Sequence, residues 1–134
     1  MEPKMHLKNN IKNERGQTMT ELALVLPILL VLLFGIIQFG VIFNNYVTLT
    51  DAVRSGARKA VVSRLSSNPS QVCTDQVRAA SSQLNQSDLS VTCTSTWQTA
   101  QDVTVQATYP YSISLVGMTV VSGNLTATMK ERLE

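Results

Sequence analysis

Hydrophobic positions along this chain fall into three regimes. From Leu22 to Phe43 the run LALVLPILLVLLFGIIQFGVIF is apolar on every side, with no charge and a single amide, Gln38. As a helix, its 22 residues would span about 33 Å, enough to cross a bilayer core of about 30 Å. Beyond it the pattern turns amphipathic to about Arg64. Ala52, Gly56 and Ala60 recur at spacing four and share one helical face, with Tyr46, Leu49, Val53 and Ala57 beside it and Arg54 and Arg58 on another. A face this small admits a closely packed partner, and two fit it: a neighbouring subunit, or the protein's own sheet.

LSSNPSQ then breaks the chain, with Ser67 or Asn68 as cap and Pro69 in the first turn of a second helix. Cys73, Val77, Ala80 and Leu84 form its apolar stripe, and Asn85 to Asp88 is expected to end it. The third regime alternates. Leu89, Val91 and Cys93, then Val103 to Tyr109, then Leu125 to Met129 read as three half-buried strands of a small antiparallel sheet. YPYSISLVGMTVVSGN reads as a long connection between the last two, with turn signals at Tyr109-Pro110 and Gly123-Asn124. The expected fold is α+β: a long N-terminal transmembrane helix running into a small domain with a short helix and three antiparallel strands.

The apolar run is too long for the core of an ordinary secretory signal, and Asn44-Asn45-Tyr46-Val47-Thr48 offers no small-residue cleavage site. It is expected to stay in the mature protein. Pro27 predicts a kink, because it leaves the Ala23 carbonyl without its usual partner. Gly35 and Gly40 permit close helix approach, and Gln38 is expected to seek a partner on another helix. Four basic residues precede the run and three follow it closely, a weak bias for an inside N-terminus. The cysteines and the polar, strand-rich tail favour the same N-in, C-out arrangement.

Charge sharpens the picture in one place. Residues 1–16 hold Lys4, Lys8, Lys12 and Arg15 against Glu2 and Glu14, while seven basic and seven acidic residues cancel from Gln17 onward. The basic excess is therefore a property of the leader, and it gives no argument for nucleic acid binding. His6 is the one histidine, and Asp51, Asp75, Asp88 and Asp102 are scattered. No nucleophile–base pair or carboxylate cluster points to an enzyme, a cofactor or a small-molecule substrate. Cys73 and Cys93 are too few for a zinc site. A disulfide suits a domain outside the cytoplasm, and two small buried hydrophobes are the alternative. Trp97 fits either a core or a contact patch.

The remaining signal lies at the mouth of the apolar run. Arg15-Gly16-Gln17 is followed by Glu21, which becomes the fifth residue if the chain is cut after Gly16. A carboxylate entering a bilayer costs several kcal/mol by order of magnitude unless paired. The free amino terminus of an adjacent, axially shifted subunit would supply an ammonium at this level, and a buried pair of this kind fixes register even where its net stabilisation is small. The alternative is a carboxylate that merely marks the membrane boundary.

RGQTMTELALVLPILLVLLFGIIQFGVIFNNYVTLTDAVRSGARKAV, from Arg15 to Val61, resembles the TadE-like minor pilins or pseudopilins of tight-adherence (Flp-type) pilus systems. The marks are Arg15-Gly16-Gln17, Glu21 before Leu22 to Pro27, Gly35 to Gly40, and Ala52 to Arg58. The resemblance implies removal of a leader, residues 1–16, by a membrane prepilin peptidase. It implies a transmembrane and amphipathic helix over 17–64 in the bacterial cytoplasmic membrane, and an extracytoplasmic domain over 65–134. Its implied partners are another minor pilin, the major pilin and the assembly platform, in a pilus serving attachment and biofilm formation. Leu22 stands where major Flp subunits commonly have tyrosine, which argues for a minor subunit. Gln17 as first residue can cyclise, and this would remove the ammonium. Other type IV pilins and type II secretion subunits fit less well, since they typically have an aromatic first residue and a longer domain. An uncleaved anchored binding module is the rival reading.

Overall fold

The computed structural model describes residues 11–115 and 117–134, the side chains of 11–15 excepted. His6 and most of the basic leader lie outside the described residues. The elements are α1 (Ile11–Val62), α2 (Pro69–Ala80), β1 (Ser90–Thr94), β2 (Asp102–Leu115) and β3 (Met118–Arg132). The chain falls into two compact units, one ending at Ile37 and the other running from Gln38 to Glu134. Half of α1 therefore belongs to the folded head.

In the first unit α1 runs through Pro27 as one helix. Every side chain from Leu22 to Phe34 is exposed, as expected of a helix whose surroundings are not its own chain. In the second unit a buried stripe appears. Leu49, Ala52, Val53, Gly56, Ala57 and Ala60 recur at spacings of three and four and are all buried. They form one core with Cys73, Val77, Leu84, Leu89, Cys93, Val103, Val105, Ala107, Ala127 and Leu133.

The small residues of that stripe serve the chain's own packing. A Cβ at Gly56 would lie 2.3 Å from Val77 Cγ2 and 3.4 Å from the Cys73 carbonyl oxygen. So α2 crosses α1 at Gly56 with no room for a methyl group. Beside the crossing, the Gln76 side-chain amide donates to Ser55 Oγ at 3.0 Å. Gly16, Gly35 and Gly40 differ, for a Cβ at any of them meets nothing within 4 Å.

Asn68 caps α2, its side-chain oxygen accepting from the Gln71 N–H at 3.3 Å, and Pro69 opens the first turn. The helix ends at Ala80, one turn earlier than the apolar stripe predicts. Ser81 is its C-cap. Both its N–H (3.0 Å) and its hydroxyl (2.7 Å) donate to the Val77 carbonyl, and the chain turns away from the helix after it. Ser81 is buried where Ala80 was expected to be, Ala80 is exposed, and Leu84 enters the core from the following turn.

The sheet is antiparallel in the order β1-β2-β3, with Cys93 opposite Val105 and Val105 opposite Met129. The expected long connection at 109–124 is instead a continuation of the hairpin. The two turn-like dipeptides face each other across the ladder, Pro110 opposite Asn124 and Tyr111 opposite Gly123. Pro110 is tolerated because β1 pairs only as far as Thr108, so β2 is an edge strand beyond it. Gly123 has its space filled by Tyr111, whose ring carbon and hydroxyl would each stand 3.0 Å from a Cβ there. The reversal comes at Gly117, with φ +82°.

Cys73 on α2 and Cys93 on β1 are joined by a disulfide. Closing a loop of this length contributes about 3 kcal/mol in the chain-entropy model, a large share for a small domain. Trp97 packs half-buried against the core in a loop where it and Ala100 have positive φ. Leu133 closes the head, exchanging 2.8 Å backbone bonds with Ala100 and Gln101.

The crossing yields a test. Ala is favoured over Gly in a helix by about 1 kcal/mol, whereas overpacking a core costs about 1–3 kcal/mol. Gly56→Ala is expected to lower the thermal midpoint of the detergent-solubilised protein, and Val77→Ala in the same chain to recover part of the loss.

Candidate functional site

The residues singled out at the start of the apolar run lie on α1 within its first unit. Thr20 Oγ1 donates to the Gly16 carbonyl at 2.9 Å, and the Gln17 side-chain amide donates to Glu21 Oε1 at 3.1 Å. The spacing of four brings each pair onto one face. The Gln17 amide carries no charge, so this contact is a hydrogen bond and not an ion pair. Among the described residues the one ion pair is Arg54 with Asp51, at 3.6 Å and exposed, so Glu21 meets no cation there. Gly16 has open space around it and no packing reason to be glycine.

The second group of residues sits where α1 leaves the apolar run. Gln38, expected to reach for another helix, finds its partner within the chain. Its Oε1 accepts from the Ser114 N–H at 3.0 Å, and its Nε2 donates to the Ser114 carbonyl. One side-chain amide therefore engages both polar groups of one peptide residue on the open edge of β2, where a longer β1 would have paired. Next to it the ladder slips by one between Ile113 and Ser114, so that Val121 faces Ile113 and Thr119 faces Ser114. Val120 is the extra residue, a β-bulge on β3. Nothing in the local sequence announces this pairing, which joins residues 76 apart.

The remaining predicted positions are structural. Ala52, Gly56 and Ala60 face the chain's own core, and Cys73 and Cys93 bond each other inside it. Among the described residues no group of three or more His, Cys, Asp or Glu is placed to hold a metal ion. A shallow depression of about 550 Å³ beside Tyr111 and Gly123 is lined mainly by Pro110, Ser112, Ser122, Asn124 and Asp88. It holds one carboxylate, Asp88, among hydroxyl and amide side chains.

A helix of 47 residues from Gly16 to Val62, apolar on all sides from Leu22 to Phe43, fits a membrane anchor, and its later turns enter the core of a small α+β head. Residues 16–58 match the model of the TadE-like protein family, so over that segment the chain is similar to TadE-like proteins, a family associated with Tad pili. The match begins at Gly16 and takes in Glu21, Gln38 and Gly56, and it ends before α2. No curated protein and no solved structure matches the chain.

If Gln38 holds the edge of β2, Gln38→Leu is expected to speed amide hydrogen exchange at residues 112–121 while leaving 103–108 protected. Uniform loss of protection would assign Gln38 to global stability instead.

Proposed function

We propose that this protein is a minor pilin or pseudopilin, a structural subunit of a tight-adherence pilus or its assembly machinery. In this reading a prepilin peptidase removes residues 1–16 on the cytoplasmic side. The mature chain begins at Gln17 and holds its head outside the cytoplasmic membrane, and the pilus it joins supports attachment and biofilm formation. The observation that carries the reading is the family match beginning at Gly16, which takes in Glu21, the fifth residue after that glycine.

The chemistry is consistent at each step. Gly16 offers a protease a backbone free of side-chain obstruction. Its carbonyl lies inside α1 and accepts from Thr20, so cleavage requires the helix to open locally at that turn. Glu21, bonded within the chain only to an uncharged amide, is placed to pair with the amino terminus of a neighbouring subunit. The exposed side chains from Leu22 to Phe34 exchange lipid for the helices of other pilin subunits and of the assembly platform.

The intact mass of the membrane-extracted protein tests processing. Loss of residues 1–16 is expected only when a prepilin peptidase is co-expressed, and Gly16→Ala is expected to reduce or abolish it. A full-length mass throughout would return the chain to an anchored module without a fibre. Glu21→Gln is expected to be processed and inserted normally but to drop out of sheared pili. Unchanged recovery in that fraction, or a blocked amine at Gln17 in assembled protein, would defeat the pairing of Glu21 with an amino terminus.

A further inference from the structure

The β2–β3 hairpin reaches α1 at a level that the apolar run assigns to the membrane. Ser114 is bonded to Gln38, and Gln38 lies five residues before the end of the run at Phe43. At 1.5 Å per residue this is about 8 Å inside the run's end. The hairpin suits such a location in composition. From Val103 to Met129 it has no charged residue. Its end exposes Met118 (72 %), Val120 (58 %) and Val121 (46 %), all apolar, whereas the exposed faces of β1 and of the sheet's far end carry Thr, Gln and charged side chains. Tyr109 and Tyr111 stand on β2 between the polar sheet and this tip, a placement that amphipathic rings favour at membrane surfaces.

We propose that the tip of the β2–β3 hairpin, centred on Met118, Val120 and Val121, is a second membrane contact that dips into the outer leaflet at the headgroup–acyl boundary. The proposal rests on Leu22–Phe43 being the membrane span. The depth of about 8 Å falls in the range of about 5–10 Å at which surface-bound apolar faces settle. Backbone chemistry limits it to that depth. Strand edges in hydrocarbon leave peptide groups unpaired. Gln38 satisfies the Ser114 peptide groups on the β2 edge, while the outer edge of β3 still needs water or headgroups within reach. The bulge at Val120 adds an apolar side chain to the exposed surface.

The test uses the full chain in vesicles of phosphatidylethanolamine and phosphatidylglycerol, with the native disulfide intact. An environment-sensitive fluorophore is attached at Val120→Cys, separately at Met118→Cys, and at Thr128→Cys in the body of the sheet. Val31→Cys, in the apolar run, reports on the span itself. Lipids carry a nitroxide quencher either just below the headgroups or deep in the acyl chains. The expected result is that labels at 118 and 120 lose most of their fluorescence to the shallow quencher, 128 loses little, and 31 responds to the deep one. Quenching at 31 with none at 118 or 120 overturns the proposal and leaves the span in place. If the label at 120 shifts to the blue as protein density rises, without lipid quenching, the tip is covered by a second copy and the proposal is likewise overturned. Absence of quenching at 31 removes the span and the tip contact together.

Discussion

The crossing of α2 over α1 at Gly56 sets the geometry on which the rest of the head depends. The Val77 side chain of α2 fills the space that a methyl group at Gly56 would need. Cys73 on the same helix turn then ties α2 to β1. Through that bond the crossing also places β1, and β1 registers β2 residue by residue. Helix, disulfide and ladder are thus links in one chain of constraints that begins at a residue with no side chain. The stability of a small domain is a few kcal/mol, so losing close packing at its first link matters more than losing any exposed hydrogen bond.

The distal hairpin depends on a different device. Once β1 ends, β2 has an open edge, and such edges recruit other strands unless they are covered. Here Pro110 blunts it, Tyr111 fills the space beside Gly123, and the Gln38 amide occupies the peptide groups of Ser114. The three act over five residues of β2, and none is charged. The edge is therefore closed without charge, which is the form of protection that an apolar neighbourhood tolerates.

The helical half of this architecture was legible in the sequence because its periodicities are long and its caps are local. The apolar run, the stripe from Leu49 to Ala60 and the Asn68-Pro69 start each carry their signal within a few residues. The same locality misled at α2, where the stripe continues to Leu84 but the helix is capped at Ser81. It misled again at the hairpin. Tyr109-Pro110 and Gly123-Asn124 are turn formers one at a time, and only their pairing across the ladder makes them strand. At the candidate sites, Gly16 and Glu21 were visible as a spacing. The bond from Gln38 to Ser114 was not, since an amide in an apolar helix gives no sign of which distant peptide it will meet.

The bare surface from Leu22 to Phe34 has a consequence for energetics. None of those side chains is buried by the rest of the chain, so the head's folding free energy holds no contribution from them. The two units are thermodynamically separable: one carries the cohesion of a folded body, the other is held only by whatever solvent surrounds it. A chain built this way can pass from one environment to another without a conformational toll on its head. What surrounds the helix from Leu22 to Phe34 is then settled by solvation along that surface, apart from the packing that holds the head together.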